Sequence, residues 1–175
     1  MTGSIRRRLP RGALPGLVVA GLLLRVPAAA AAVPPAAGDI HLAPFAGAQI
    51  AEDGSTIAGP AVGTAFGYAV ANDVVIEPEV VFGHLSGDVG VFLTATANLL
   101  YYVDVGSRAT PYFGGGLGVD NADGSEFFMH IGGGVDVATL GENTTLRLDV
   151  RVGFLTIDET NTTFRPGVFL VLPLR

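Results

Sequence analysis

The stretch Leu146-Arg147-Leu148-Asp149-Val150-Arg151-Val152-Gly153-Phe154 decides the fold class. Leucine, valine and phenylalanine fill the even positions, while Arg147, Asp149, Arg151 and Gly153 fill the odd ones. Successive side chains of a strand point to opposite faces, so this spacing predicts a strand with one apolar and one charged face. The charged face carries both signs and a glycine. That composition suits the crowded interior of a narrow barrel better than a solvated Lys/Glu surface, and it leaves the apolar side outside.

The same alternation recurs on both sides of this segment. Val89, Val91, Leu93, Ala95, Ala97, Leu99, Tyr101 and Val103 oppose Thr94, Thr96 and Asn98. Phe127, Met129, Ile131, Val135 and Val137 oppose His130, Gly132, Gly134 and Asp136, and Val74, Ile76, Val80 and Phe82 oppose Glu77 and Glu79. From Asp39 onward no stretch has a helical apolar period. Eight strands are expected, near 39–51, 57–70, 74–85, 89–103, 111–120, 126–139, 145–155 and 163–174. Most exceed the roughly 5 to 6 residues typical of soluble proteins and meet the roughly 9 to 11 that a tilted strand needs to cross a bilayer. Short turn-like connections at 71–73 and 141–143 suit an up-and-down meander. Pro78 lacks a ladder donor where the third strand should be paired, and a bulge there would accommodate it. The expected fold class is therefore all-β, an eight-stranded antiparallel up-and-down transmembrane β-barrel.

Composition agrees with lipid as part of the solvent. The 175 residues suffice for one domain, 49% are apolar and only 15% charged, and there are 25 glycines. Lysine and cysteine are both absent. Disulfides, thiolate metal sites and a cysteine nucleophile are thereby excluded. A soluble lipocalin-like barrel places apolar residues inside and charges outside, the reverse of this pattern.

Arg6, Arg7, Arg8 and Arg11 precede the apolar run 13–24, which holds Pro15 and Gly16, stops at Arg25 and is followed by the alanines 28–32. This is the pattern of a secretory signal peptide over residues 1–32, with cleavage between 30 and 37, a short tether at 33–38 and the barrel over 39–175. The leader holds five of the ten basic residues and none of the 16 acidic ones, so the remainder carries five bases against 16 acids, a net charge of −11. With no basic patch interleaved with aromatics, nucleic acid is not an expected partner.

The run 94–103, Thr-Ala-Thr-Ala-Asn-Leu-Leu-Tyr-Tyr-Val, is followed after a turn by 110–119, Thr-Pro-Tyr-Phe-Gly-Gly-Gly-Leu-Gly-Val. This pairing resembles the outer-membrane β-barrel domain family, related in architecture to the OmpA-like transmembrane domain. The resemblance implies a Gram-negative cell outer membrane, the outer-membrane assembly machinery as a partner, and a periplasmic N-terminus. The connections near 52–56, 86–88, 121–125 and 156–162 then face outward.

Four constellations bear on chemistry. The glycines at 114–118 and 132–134 are followed by no lysine and no helix, so they read as wall residues and not as a phosphate loop. His84 and Ser86 are similar to the His-x-Ser arrangement of the lipid A deacylases, small outer-membrane barrels in which a serine attacks an ester; the orienting acid is missing, since Asn98 stands fourteen residues after His84, and Asp88 is the nearby carboxylate. Asp120, Asn121, Asp123 and Glu126, with Glu52, Asp53, Asp88, Asp158 and Glu159, form an acidic rim able to attract divalent cations, without the spacing of a calcium loop. Glu77, Glu79, Asp136, Arg147, Asp149, Arg151 and Arg165 are expected to share the lumen and pair there, while Leu146, Leu148, Val150, Val152 and Phe154 are expected to face lipid.

These readings predict a small non-enzymatic outer-membrane protein with a structural or surface-interaction role in the cell envelope. Its expected partners are outer-membrane lipid and lipopolysaccharide, and no cofactor or metal site is expected. Two alternatives stand beside it, a barrel-borne hydrolase of the lipid A deacylase type and a soluble lipocalin-like carrier of a hydrophobic ligand.

Overall fold

The structure, a computed structural model, describes residues 33–53, 55–86, 90–105, 109–121, 125–138, 144–155 and 161–174. Residues 1–32, where the sequence suggests a leader, lie outside them. Eight strands run β1 Ile40–Asp53, β2 Ser55–Ala71, β3 Val74–Leu85, β4 Gly90–Tyr102, β5 Ala109–Asp120, β6 Glu126–Ala138, β7 Thr145–Leu155 and β8 Asn161–Leu174. Each pairs antiparallel with its neighbour in sequence, and β1 pairs with β8 to close the barrel. Closure removes the unpaired edges that an open sheet would expose.

The strands are longer than the alternation alone predicts at several ends. β1 and β2 meet across residue 54 because Glu52↔Thr56 and Asp53↔Ser55 continue the ladder. β5 begins at Ala109 because Thr110↔Asp136 and Ala109↔Val137 pair with β6. The β2–β3 connection is a two-residue turn in which Asp73 takes φ 65°, a left-handed conformation that Asp and Asn tolerate better than most residues.

Pro78 is accommodated without a bulge. Its ladder with β4 is unbroken, Glu77↔Asn98, Pro78↔Ala97 and Glu79↔Thr96, while the ladder with β2 passes from Ala65↔Glu79 to Tyr68↔Ile76. The residue with no N–H thus turns its empty position toward β2, and the register shift falls at Ala69/Ala71 beside the turn. Residues 33–38 are also more than a tether. The Asp73 amide donates to the Pro35 carbonyl at 3.0 Å, the Ala37 amide to Asn72 Oδ1 at 3.1 Å, and the Gly38 amide to the Ala69 carbonyl at 2.8 Å. This segment is therefore docked against the β2–β3 turn.

Burial alternates with period two along β3 and β4. The outer wall is apolar, including Val80, Phe82, Leu93, Leu99, Tyr101, Phe113, Leu117, Phe127, Ile131, Leu148 and Val150. Ile131 is 65% and Phe113 58% exposed, values that bulky apolar groups rarely show over a whole face in water. The lumen is filled by side chains. One part of the filling is apolar, with Ala43, Phe45, Val81, Leu85, Phe92 and Phe169 in one cluster and Val75, Leu100, Tyr102 and Tyr112 in another. The sequence reading, built on polar inward positions, did not include these inward aromatics.

Candidate functional site

The lumen holds a connected network of charged groups. β7 supplies Arg147, Asp149 and Arg151 at alternate positions, β3 supplies Glu77 and Glu79, β6 Asp136 and β8 Arg165, all buried. Strand alternation puts them inside, and barrel closure brings β3 opposite β7. Arg147 has no exposed surface; its Nη1 donates to Glu77 Oε2 at 2.7 Å, its Nε to Asp136 Oδ1 at 2.9 Å, and its Nη2 to the Tyr102 hydroxyl. Arg151 pairs with Glu79 at 2.7 Å and with Asp149 at 2.9 Å. Arg165 pairs with Glu79, and the Tyr112 hydroxyl donates to Asp149. His41 Nε2 lies 3.0 Å from Glu77 Oε2.

Aromatic rings complete the packing around the guanidinium groups. The Arg147 guanidinium carbon lies 5.0 Å from the Tyr112 ring centroid and 5.7 Å from that of Phe169, and Arg165 lies 5.2 Å from Phe45. Such contacts stabilise a cation most where water is excluded. Charge pairing and ring packing together fill this part of the lumen among the described residues.

The inward glycines make room for these long side chains. Gly67 lies under His41, and a Cβ there would sit 2.1 Å from the imidazole. Gly116 of β5 stands between Asn98 of β4 and His130 of β6 in the ladder. A Cβ on it would lie 2.1 Å from Asn98 Oδ1 and 2.6 Å from His130 Nε2. Without one, Asn98 and His130 meet across β5 at 2.8 Å. The glycine runs at 114–118 and 132–134 are thus continuous ladder positions of β5 and β6.

The other constellations are dispersed. His84 and Ser86 are exposed, and Ser86 Oγ accepts the Ala58 amide at 3.3 Å. Asn98, the position for an orienting acid, is 2% exposed on the opposite face of the wall and bonded to His130. Asp88 lies outside the described residues. Of the acidic rim, Asp120 is the last residue of β5, turned inward and 3% exposed, where Thr94 Oγ1 donates to it. Its inward parity and the hydroxyl partner take it out of the rim. Glu52 is exposed at the end of β1, and Asp123, Asp158 and Glu159 lie outside the described residues. No group of three or more His, Asp or Glu able to hold a metal occurs among the described residues. On β7, Leu148 and Val150 are exposed on the outer wall, and Leu146, Val152 and Phe154 share their parity at intermediate exposure.

No protein-family model and no curated protein matches this sequence. Solved structures do match the fold. The crystal structure of Neisserial surface protein A (NspA) aligns with a TM-score of 0.66 at 15% identity, covering 76% of this chain and 96% of that one. The N-terminal β-barrel domain of Pseudomonas aeruginosa OprF aligns with a TM-score of 0.54 at 16% identity, covering 79% and 100% respectively. At such identities the likeness concerns the fold, and the fold is the closed eight-stranded antiparallel barrel of transmembrane proteins.

Proposed function

We propose that the chain is a small non-enzymatic barrel of a Gram-negative outer membrane, with a structural or surface-interaction role in the envelope. The observation that carries this reading is the inversion of the wall, apolar outside and charged within. In water that arrangement would expose a large continuous apolar surface and bury charge at a cost. In a bilayer the first cost disappears, and the second is offset by the ion pairs within the lumen. The outer face meets hydrocarbon, the backbone is satisfied by closure, and Leu146, Leu148, Val150, Val152 and Phe154 contact acyl chains. Outer-membrane lipid and lipopolysaccharide are then the immediate partners, with the assembly machinery required for insertion.

A network filling the lumen favours a stability role over conduction. Eight strands leave an interior just wide enough for side chains to fill, and here they fill it with paired charges and aromatic rings. The soluble-carrier alternative requires an apolar interior and a polar exterior, opposite to this wall. The hydrolase alternative requires an acid beside His84 and Ser86, and Asn98 faces away from them.

Cell fractionation followed by gel electrophoresis of boiled and unboiled samples tests the proposal. The protein is expected in the outer-membrane fraction, with a folded form that migrates differently until boiled. Recovery in the soluble periplasmic fraction, with identical mobility in both samples, would overturn it. Unchanged lipid A acylation after Ser86→Ala, read by mass spectrometry, is the expected result for a non-enzymatic barrel.

A further inference from the structure

The outer wall from β3 to β7 is unevenly covered. Ile76, Leu99, Gly115 and Ile131 pair across four adjacent strands in one row. Ala97, Leu117, Met129 and Phe154 form the next row, on β4 to β7. All have the outward parity, but Gly115 contributes no side chain and Ala97 only a methyl. Leu99, Leu117 and Ile131 stand more than half exposed around these two gaps. The gaps are diagonal neighbours, and they join into an apolar groove of about 610 Å³ that runs between the rows from Ile76 to Phe154. Asn98 and His130 back it with main chain alone, since their side chains bond each other inside the lumen.

Four inter-strand steps of about 4.8 Å, from β3 to β7, give the groove a length of ~19 Å. It crosses the strands at right angles, and with a strand tilt of about 35–45° it climbs roughly 12 Å over that length. One leaflet supplies about 15 Å of hydrocarbon. At the lower end Tyr68 pairs with Ile76, and Tyr101 follows Leu99 on the outer face of β4. These two exposed rings close the groove beside the β2–β3 turn. At the other end Phe154 is paired with Thr162, the second residue of β8, whose small side chain leaves the groove open toward the β7–β8 connection.

Width and chemistry select the occupant. No charged or hydrogen-bonding side chain faces the groove among the described residues. Leu99 and Ile131 stand two strand spacings apart, about 10 Å between backbones, and their side chains narrow the gap further, so a helix of about 10 Å diameter does not enter. A second barrel presents a convex wall, which rests on the rims and leaves Gly115 uncovered. A single hydrocarbon chain is thin and flexible enough to reach it. Within lipid such contacts are driven by packing, and an unfilled groove forfeits dispersion contacts along its whole floor.

We infer that this groove binds one acyl chain of an outer-leaflet lipopolysaccharide, which enters beside Phe154 and lies over Ala97 and Gly115 toward Ile76. The inference rests on the outer-membrane reading and on the 156–162 connection facing outward. It gives adjacent glycines opposite tasks. Gly116 clears the lumen for the Asn98–His130 bridge, and Gly115 clears the outer wall for lipid.

The test is native mass spectrometry of the barrel extracted from outer membranes in mild detergent, after unboiled gel mobility has shown it folded. The parent should carry one lipopolysaccharide, in excess over phospholipid. Ala97→Phe fills the groove from outside and should lower the lipopolysaccharide-bound fraction by about fivefold. Val62→Phe adds bulk to the exposed wall of β2, away from the groove, and should leave that fraction unchanged. Ala97→Leu should give an intermediate loss, and it carries the comparison if the larger ring prevents folding. A folded parent with no lipopolysaccharide, with phospholipid in its place, or with a second barrel in its place would overturn the inference and leave the outer-membrane reading intact. Equal retention by the parent and the Ala97 variants would do the same. Absence of the folded band from the outer-membrane fraction would overturn both.

Discussion

Replacing Arg147 with methionine removes a fully buried cation of the lumen network while keeping a long unbranched side chain. In the parent, Glu77 and Asp136 are bonded to it at 2.7 and 2.9 Å, and the Tyr102 hydroxyl accepts from it. After the change Glu77 keeps His41 at 3.0 Å and a longer approach to Arg151 at 3.7 Å, while Asp136 loses its guanidinium partner. Breaking a buried ion pair from one side costs about 3 to 5 kcal/mol because the remaining charge stays buried without compensation. A surface arginine removed from elsewhere costs within about 0.5 kcal/mol, so the two cases are readily separated. The chain has no tryptophan, and the assay is therefore urea unfolding in lipid vesicles followed by the gel mobility of the folded band. The reasoning makes a second demand. Adding Glu77→Gln and Asp136→Asn to Arg147→Met removes the stranded charges and should recover most of the loss, since neutral replacement of a whole buried ionic group is often near neutral. A loss below about 1 kcal/mol for Arg147→Met alone, or a triple variant less stable than the single one, would refute the claim that compensation of buried charge dominates this lumen.

Val150 lies midway along β7 on the outer wall, and Val150→Arg should destabilise the vesicle-inserted barrel by about 2 to 4 kcal/mol in the same unfolding assay, as expected near a bilayer midplane. Gly116→Val should cost about 1 to 3 kcal/mol, because the new side chain overlaps the Asn98–His130 bridge; it should also abolish the hydrogen-bonded His130 ring signal in ¹⁵N NMR, and an unperturbed signal would contradict the steric argument. Single cysteines introduced into the cysteine-free chain at 148, 150 and 152 and labelled with a fluorophore should be quenched by brominated lipid, whereas labels at 149 and 151 should be protected; equal quenching would contradict the assigned faces. Epitope tags at residues 123 and 159 should be accessible on intact cells, and accessibility at residue 142 in their place would invert the orientation.

The period-two alternation of residues 146–154 and its repeats determined the strands, their faces and the barrel class, because a strand assigns its side chains to two sides by local geometry alone. The same parity put Arg147, Asp149 and Arg151 on one face, with Leu148 and Val150 on the other. Which charges meet is a different matter. Arg147 and Glu77 stand seventy residues apart, and their contact exists only because closure through β1 and β8 brings β3 and β7 to opposite sides of one narrow lumen. The inward Phe45, Phe92, Phe128 and Phe169 were not legible either, since an apolar residue at a polar parity looks like an exception until the space beside the guanidinium groups is known. The direction of the Pro78 vacancy depended on which neighbour its missing donor faced, a property of the ladder and not of the residue. Most of all, the role of Gly116 appeared only in three dimensions. In the sequence it is one glycine in a run, and in the barrel its missing side chain lets Asn98 and His130 meet across an intervening strand. Local chemistry fixed the faces of each strand, and closure decided the partners.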